Sequence, residues 1–73
     1  MVKLPVLKPK QVIRKFEKLG FIKDRQAGSH LVMYRNKDKK RAVILLHVRD
    51  LAKGTLLAIL RESGIGKDEF LNV

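Results

Sequence analysis

Apolar residues first recur with helical period: Val12, Ile13, Phe16 and Leu19 follow Pro9 and lead to Gly20. Proline suits the first helical position and glycine the residue just past the last turn, so the pattern predicts a helix over 9–19. Its other face carries Lys10, Arg14, Lys15 and Lys18, which separates a buried stripe from a basic one. Phe21 to Arg25 then reads as a short strand, Ala27-Gly28 as a turn or bulge, and Ser29 to Arg35 as a second strand. Asn36 to Lys40 is a polar loop of hairpin length. Arg41 to His47 reads as a third strand, and its run of apolar residues on both faces predicts a well-covered place in the sheet. After a link from Val48 to Lys53, the residues Leu56, Leu57, Ile59 and Leu60 form a second helical stripe that ends at Gly64, and Lys67 to Leu71 makes a short terminal turn.

The order α-β-β-β-α predicts an α+β domain, a three-stranded antiparallel sheet with helices on one face and the other face open. Residues 1–73 are read as a single domain. Along the second strand His30, Val32 and Tyr34 share one face and Leu31, Met33 and Arg35 the other. Neither face is purely polar, so the pattern leaves open which set meets the helices; a buried imidazole needs hydrogen-bond partners that this strand does not obviously supply, which tilts His30 towards the surface. A hairpin centred near residue 38 brings residue 30 opposite residue 46 and so predicts that His30 and His47 lie near each other.

Composition narrows the chemistry. The 73 residues support one small core, burying a little over ~60% of the unfolded chain's surface. Absence of cysteine removes disulfides, thiolate nucleophiles and cysteine-type zinc sites. Two histidines without flanking acids make a poor metal-ligand set, and there is no Walker-type phosphate loop, so neither metal nor other cofactor is expected. Residues 42 to 46 are the longest apolar run, too short to span a membrane, and the amino end lacks the features of a signal peptide, which makes cytoplasm the expected compartment. The net charge of +10 is carried wholly by residues 1–41, with thirteen Lys/Arg against three acids. Such a bias fits nucleic acid, an anionic membrane or an acidic protein, and also a solvated face.

Candidate chemistry centres on the two histidines, because imidazole can take or give a proton near neutral pH. Gly28 and Ser29 before His30 leave the backbone open to a bulky ligand. His47, at the end of the third strand, also suits a loop or capping role. Lys53-Gly54-Thr55 opens the second helix, with Thr55 the expected N-cap; a lysine at the positive end of a helix is unfavourable unless an anion is bound, which makes Lys53 a candidate phosphate ligand.

These residues together resemble the HicA family of small toxins. The resemblance is carried by Leu19-Gly20-Phe21, by Arg25-Gln26-Ala27-Gly28-Ser29-His30, by His47, by Lys53-Gly54-Thr55-Leu56, and by Ile59-Leu60-Arg61 with Gly64-Ile65. It implies a fold similar to the double-stranded-RNA-binding domain, and a type II toxin that cleaves mRNA without the ribosome and is neutralised by a cognate HicB antitoxin. The histidine of the family's Gly-Ser-His segment is catalytic and corresponds to His30. The family usually has a proline two residues before the second histidine, where this chain has Leu45.

The implied reaction needs no metal: a base draws the proton from a 2′-hydroxyl, that oxygen attacks the adjacent phosphorus, and an acid protonates the leaving 5′-oxygen. His30 fills one role, and His47, Lys53 and Tyr34 are candidates for the other or for stabilising the transition state. Lys10, Arg14, Lys15, Lys18, Lys23, Arg25, Ser29, Arg35, Lys53 and Thr55 are candidate RNA contacts, so binding is expected to weaken steeply with salt. One tyrosine and no tryptophan limit base stacking. The expected partners are mRNA and an acidic HicB-type antitoxin, with no membrane association and no DNA binding by this chain alone. A non-catalytic RNA-binding module of the same fold, or a protein-interaction module using the basic face, are the alternatives.

Overall fold

The computed structural model of the chain describes residues 4–73. Lys3, one cation of the basic half, lies outside the described residues. Pro9 occupies the first position of α1 (Pro9–Lys18), and the Gln11 side chain accepts from the Lys8 N–H at 2.8 Å, satisfying a donor ahead of the helix. At the other end Gly20, with φ 96°, lets the Phe21 N–H reach the Phe16 carbonyl at 2.9 Å while its own N–H reaches Glu17 at 3.0 Å. The turn brings the two rings edge to face, centroids 5.0 Å apart, so one motif both ends the helix and starts the core.

The strands β1 (Ile22–Ala27), β2 (His30–Arg35) and β3 (Lys40–Leu45) form an antiparallel meander with β2 in the middle. They are followed by α2 (Lys53–Ser63) and a short α3 (Lys67–Leu71). This is the α-β-β-β-α arrangement of the α+β class, closed by a further helical turn. Leu31 and Met33 from β2 and Ala42 and Ile44 from β3 meet Val12 and Phe16 of α1 and Leu56, Ile59 and Leu60 of α2 in one core. Phe70 of α3 closes it, its ring centroid 5.6 Å from that of Phe16. Burial of these side chains, at roughly 25 cal/mol per Å² of apolar surface, is the main stabilising term.

Four expectations are corrected in this geometry. The first turn is Gly28-Ser29, not Ala27-Gly28, because Ala27 still pairs with His30 and Gly28 takes the positive φ of 59° that a two-residue hairpin needs. The bulge falls instead between Lys23 and Arg25. Lys40 belongs to β3, paired with Arg35, and Leu45 rather than Leu46 lies opposite His30. Finally, β3 is an edge strand and Val43 stays 40% exposed. Its apolar run serves two surfaces: Ala42 and Ile44 enter the core, while Val43 and Leu45 line a groove beside α2.

Candidate nucleic-acid interface

The open face of the sheet is built by register. Residues directly opposite one another share a face. The pairs therefore give three rows across the strands: Ala27, His30 and Leu45; Arg25, Val32 and Val43; Ile22, Tyr34 and Arg41. The bulge decides the middle row. Strict alternation from Ile22 would put Asp24 on this face; the extra residue between Lys23 and Arg25 puts Arg25 there instead, opposite Val32. A guanidinium thus replaces a carboxylate one row from His30, and Ile22 stands 65% exposed.

His30 is the first residue of β2, and its exposed imidazole makes no hydrogen bond or ion pair among the described residues. It lines a groove of about 220 Å³ with Val43, Leu45, Thr55, Ala58, Ile59 and Glu62. Thr55, Ala58, Ile59 and Glu62 are spaced i, i+3, i+4, i+7, so one face of α2 forms the far wall. Glu62 was not among the residues read from the sequence as functional; its place seven residues after Thr55 was the available signal.

The other candidates are distributed unequally. Tyr34 is half-buried on the same face, four residues along β2 and so ~13 Å from His30, too far to act on the same bond. His47 is exposed, two residues past Leu45 and beyond the end of β3, and does not line the groove. Lys53 is the exposed first residue of α2 and lies outside the groove lining as well. Ser29 sits half-buried in the turn, its carbonyl accepting from the Leu46 N–H at 2.7 Å. Lys23 pairs with Met33 and so belongs to the face opposite His30.

Thr55 is not the N-cap. That place is Ala52, in extended conformation with no side-chain hydrogen bond, and Thr55 is the third residue of the helix. The backbone tie of the Leu51 N–H to the Leu7 carbonyl, 2.8 Å, holds the chain extended up to the turn, so a tertiary bridge rather than a capping side chain sets the start. With no acidic residue in the first turn of α2, the positive end of the helix is unanswered by the protein.

The cations of α1 occupy the other layer. Lys10, Arg14, Lys15 and Lys18 line a hollow of about 340 Å³ with Leu7, Gln11 and Val73, on the helix that covers the core side of the sheet. Lys15 is partly committed, donating to the Val73 carbonyl at 3.0 Å and lying 5.4 Å from the centre of the Phe70 ring. Arg35 is wholly committed, and its expected role as an RNA contact is corrected. It is 6% exposed; Nε and Nη2 donate to the two carboxylate oxygens of Asp38 at 3.0 and 2.7 Å, Nη1 donates to the Leu19 carbonyl at 2.8 Å, and the guanidinium stacks 5.0 Å from the Phe21 ring. Hydrogen bonding to Asp38 raises the Arg35 pKa against the opposing effect of burial, and the same bonds hold the Asp38 carboxyl below the usual carboxylate range.

A two-layer α+β domain whose open face carries an imidazole, a tyrosine and two guanidiniums is compatible in build with RNA-binding folds. A family model describing the HicA toxin of bacterial toxin–antitoxin systems matches residues 9–65, from the start of α1 to the turn that ends α2. The chain belongs to this family of toxins, generally ribonucleases directed at RNA and paired with a cognate antitoxin. Among individual curated proteins, none matches it. Leu45, standing where the family usually has proline, forms the non-hydrogen-bonded pair with His30, because the adjoining Leu46 N–H bonds to Ser29. Its own N–H points away from β2, so either residue leaves the β2–β3 ladder intact. No helix among the described residues is long and apolar enough to cross a membrane.

Proposed function

We propose that this chain is a metal-independent endoribonuclease that cleaves mRNA with His30, thereby arresting translation and growth, and that it acts in the cytoplasm until a HicB-type antitoxin covers its open face. The observation that carries the reading is the position of His30 in a chain of the toxin family: exposed, its imidazole without a protein partner, and lining a groove beside the open sheet face. A free imidazole is what proton transfer to or from RNA requires.

In the reaction the 2′-hydroxyl gives up its proton, its oxygen bonds to phosphorus, the bond from phosphorus to the 5′-oxygen breaks, and that oxygen takes a proton. The products are a 2′,3′-cyclic phosphate and a 5′-hydroxyl. His30 performs one of the two transfers. His47 and Lys53 lie outside the groove lining, each two residues along the chain from a lining position, Leu45 and Thr55, and are the candidates for the second transfer or for supporting the phosphorane. Arg25 and Arg41 hold the backbone from the same face as His30. The +10 charge draws RNA and an acidic antitoxin alike, so both associations weaken with added salt.

The test compares wild type with His30→Ala on a defined single-stranded RNA in EDTA, with folding checked by circular dichroism. Cutting by the wild type that falls at least ~100-fold in a folded His30→Ala protein supports the reading, since a positioned general acid or base contributes ~10²–10⁴. Equal binding of RNA by both proteins with no cutting by either would establish the non-catalytic binding module instead.

A further inference from the structure

The groove beside His30 contains a carboxylate in a chain otherwise suited to polyanions. Its lining holds two titratable side chains, His30 and Glu62, and the rest is Val43, Leu45, Thr55, Ala58 and Ile59. Glu62 is exposed and its carboxylate makes no ion pair or hydrogen bond among the described residues, although the chain has 17 Lys/Arg to offer it. A carboxylate repels the phosphates that His30 works on, so its counterpart in an RNA complex is a donor without negative charge. Only the nucleobase edges and sugar hydroxyls of RNA supply such donors.

The walls favour a base. Val43 and Leu45 on one side and Ala58 and Ile59 on the other offer apolar surface to a flat ring, and Thr55 to Glu62 spans ~10 Å along α2, the scale of one nucleotide. The identity of the base follows from hydrogen-bond complementarity. An ionised carboxylate only accepts, through two oxygens side by side. The Watson–Crick edge of guanine presents two adjacent donors, N1–H and the 2-amino group. Adenine and cytosine each set an acceptor nitrogen beside their amino group, and uracil flanks its single N–H with two carbonyls.

We infer that the groove between β3 and α2 is a nucleobase subsite and that Glu62 makes it selective for guanine in the nucleotide adjoining the cleaved bond. The inference rests on the ribonuclease reading above and adds a specificity to it. Glu62 reads the base at one end of the groove while His30 moves the proton at the other. Charge-assisted bonds of this kind support a preference for guanine of roughly ten- to a hundredfold over the other bases.

The experiment maps cut sites on a randomised RNA pool for wild type, Glu62→Gln and His30→Ala, and measures single-site cutting of one RNA carrying either guanosine or inosine at the preferred position. Wild type is expected to cut beside guanine. Glu62→Gln should lose that bias at least tenfold, since an amide presents one acceptor and one donor pair where the edge needs two acceptors. Inosine, which lacks the 2-amino group, should be cut roughly tenfold more slowly than guanosine by wild type and almost equally by Glu62→Gln. The side chain is exposed, so the variant should melt as wild type does. Wild type that cuts with no guanine bias, or a Glu62→Gln protein that keeps it, overturns the subsite while leaving the ribonuclease intact. Failure of the wild type to cut any RNA overturns both.

Discussion

The two ends of β2 carry basic side chains in opposite surroundings. His30 opens the strand, exposed and its imidazole without a protein partner; Arg35 closes it, 6% exposed with its donors on Asp38 and Leu19. They are five residues apart, an odd number, so the pleat sends them to opposite faces. One end faces whatever the open sheet binds. The other clamps the α1 exit to the β2–β3 loop, with Glu69 of α3 4.0 Å away. In a chain with so many cations, type and sequence position therefore say little about which of them meet RNA; the parity of the strand and the burial of the head group decide it.

Separating the two ends experimentally gives the largest effects. His30→Ala should abolish RNA cleavage and leave the melting temperature nearly unchanged, because the imidazole is exposed and makes no hydrogen bond or ion pair among the described residues. Arg35→Ala should do the reverse. It leaves the Asp38 carboxylate and the Leu19 carbonyl without their donor and empties space beside Phe21, a loss of about 2–3 kcal/mol once the 32% exposure of Asp38 is allowed for. For a domain of this size that is a fall of roughly 10–20 °C in Tm. Cleavage per folded molecule, measured well below the lowered Tm, should remain near wild type. Loss of activity in a folded Arg35→Ala protein would mean that this end of β2 also serves the reaction.

Much of this comparison was legible in the sequence, and the misses have physical causes. The alternation along 30–35 sorted the residues of β2 into the two sets that the structure shows, and the lack of partners for a buried imidazole tilted the His30 set towards the open face, as observed. The Val12–Phe16 stripe and the closing Gly20 and Gly64 were equally plain, since each depends on local periodicity or a positive φ. Arg35 was misjudged because its partners, Asp38 apart, come from distant segments that only the fold assembles. The third strand looked covered because Val43 and Leu45 are apolar, and a pattern cannot tell a core from a groove. The bulge between Lys23 and Arg25, which sets Arg25 opposite Val32, is not announced by composition and was read two residues late, at Ala27-Gly28. Thr55 is a good N-cap type, yet a backbone tie at Leu51 started the helix earlier.

The bulge gives an intermediate effect. If the open face holds the RNA, Arg25→Gln in a His30→Ala background should raise the Kd for single-stranded RNA several-fold near 0.1 M salt and reduce the slope of log K against log salt by ~0.7, one phosphate contact fewer. Lys18→Gln, on the outer surface of α1, should change both quantities less. A larger change from Lys18→Gln would move the RNA path to the helical layer and remove Arg25 from the site. Titration of binding by fluorescence anisotropy over a range of salt concentrations distinguishes the two.

The smallest effect tests the buried end through pH. Arg35 hydrogen bonds hold the Asp38 carboxyl below its ordinary range, so the folded state binds that proton less readily than the unfolded chain does. Stability from the pair is therefore fully present above the usual aspartate range and is lost as pH falls through the depressed folded value. Asp38→Asn should lower Tm at neutral pH by less than Arg35→Ala does, because the amide oxygen still accepts one guanidinium bond. The difference from wild type should then shrink as the buffer is taken into the acid range, where the wild-type carboxyl is itself neutralised. Melting curves for both proteins from neutral to acid pH measure this directly. A Tm gap that stays constant over the whole range would show that Asp38 supports the clamp through hydrogen-bond geometry and not through its charge.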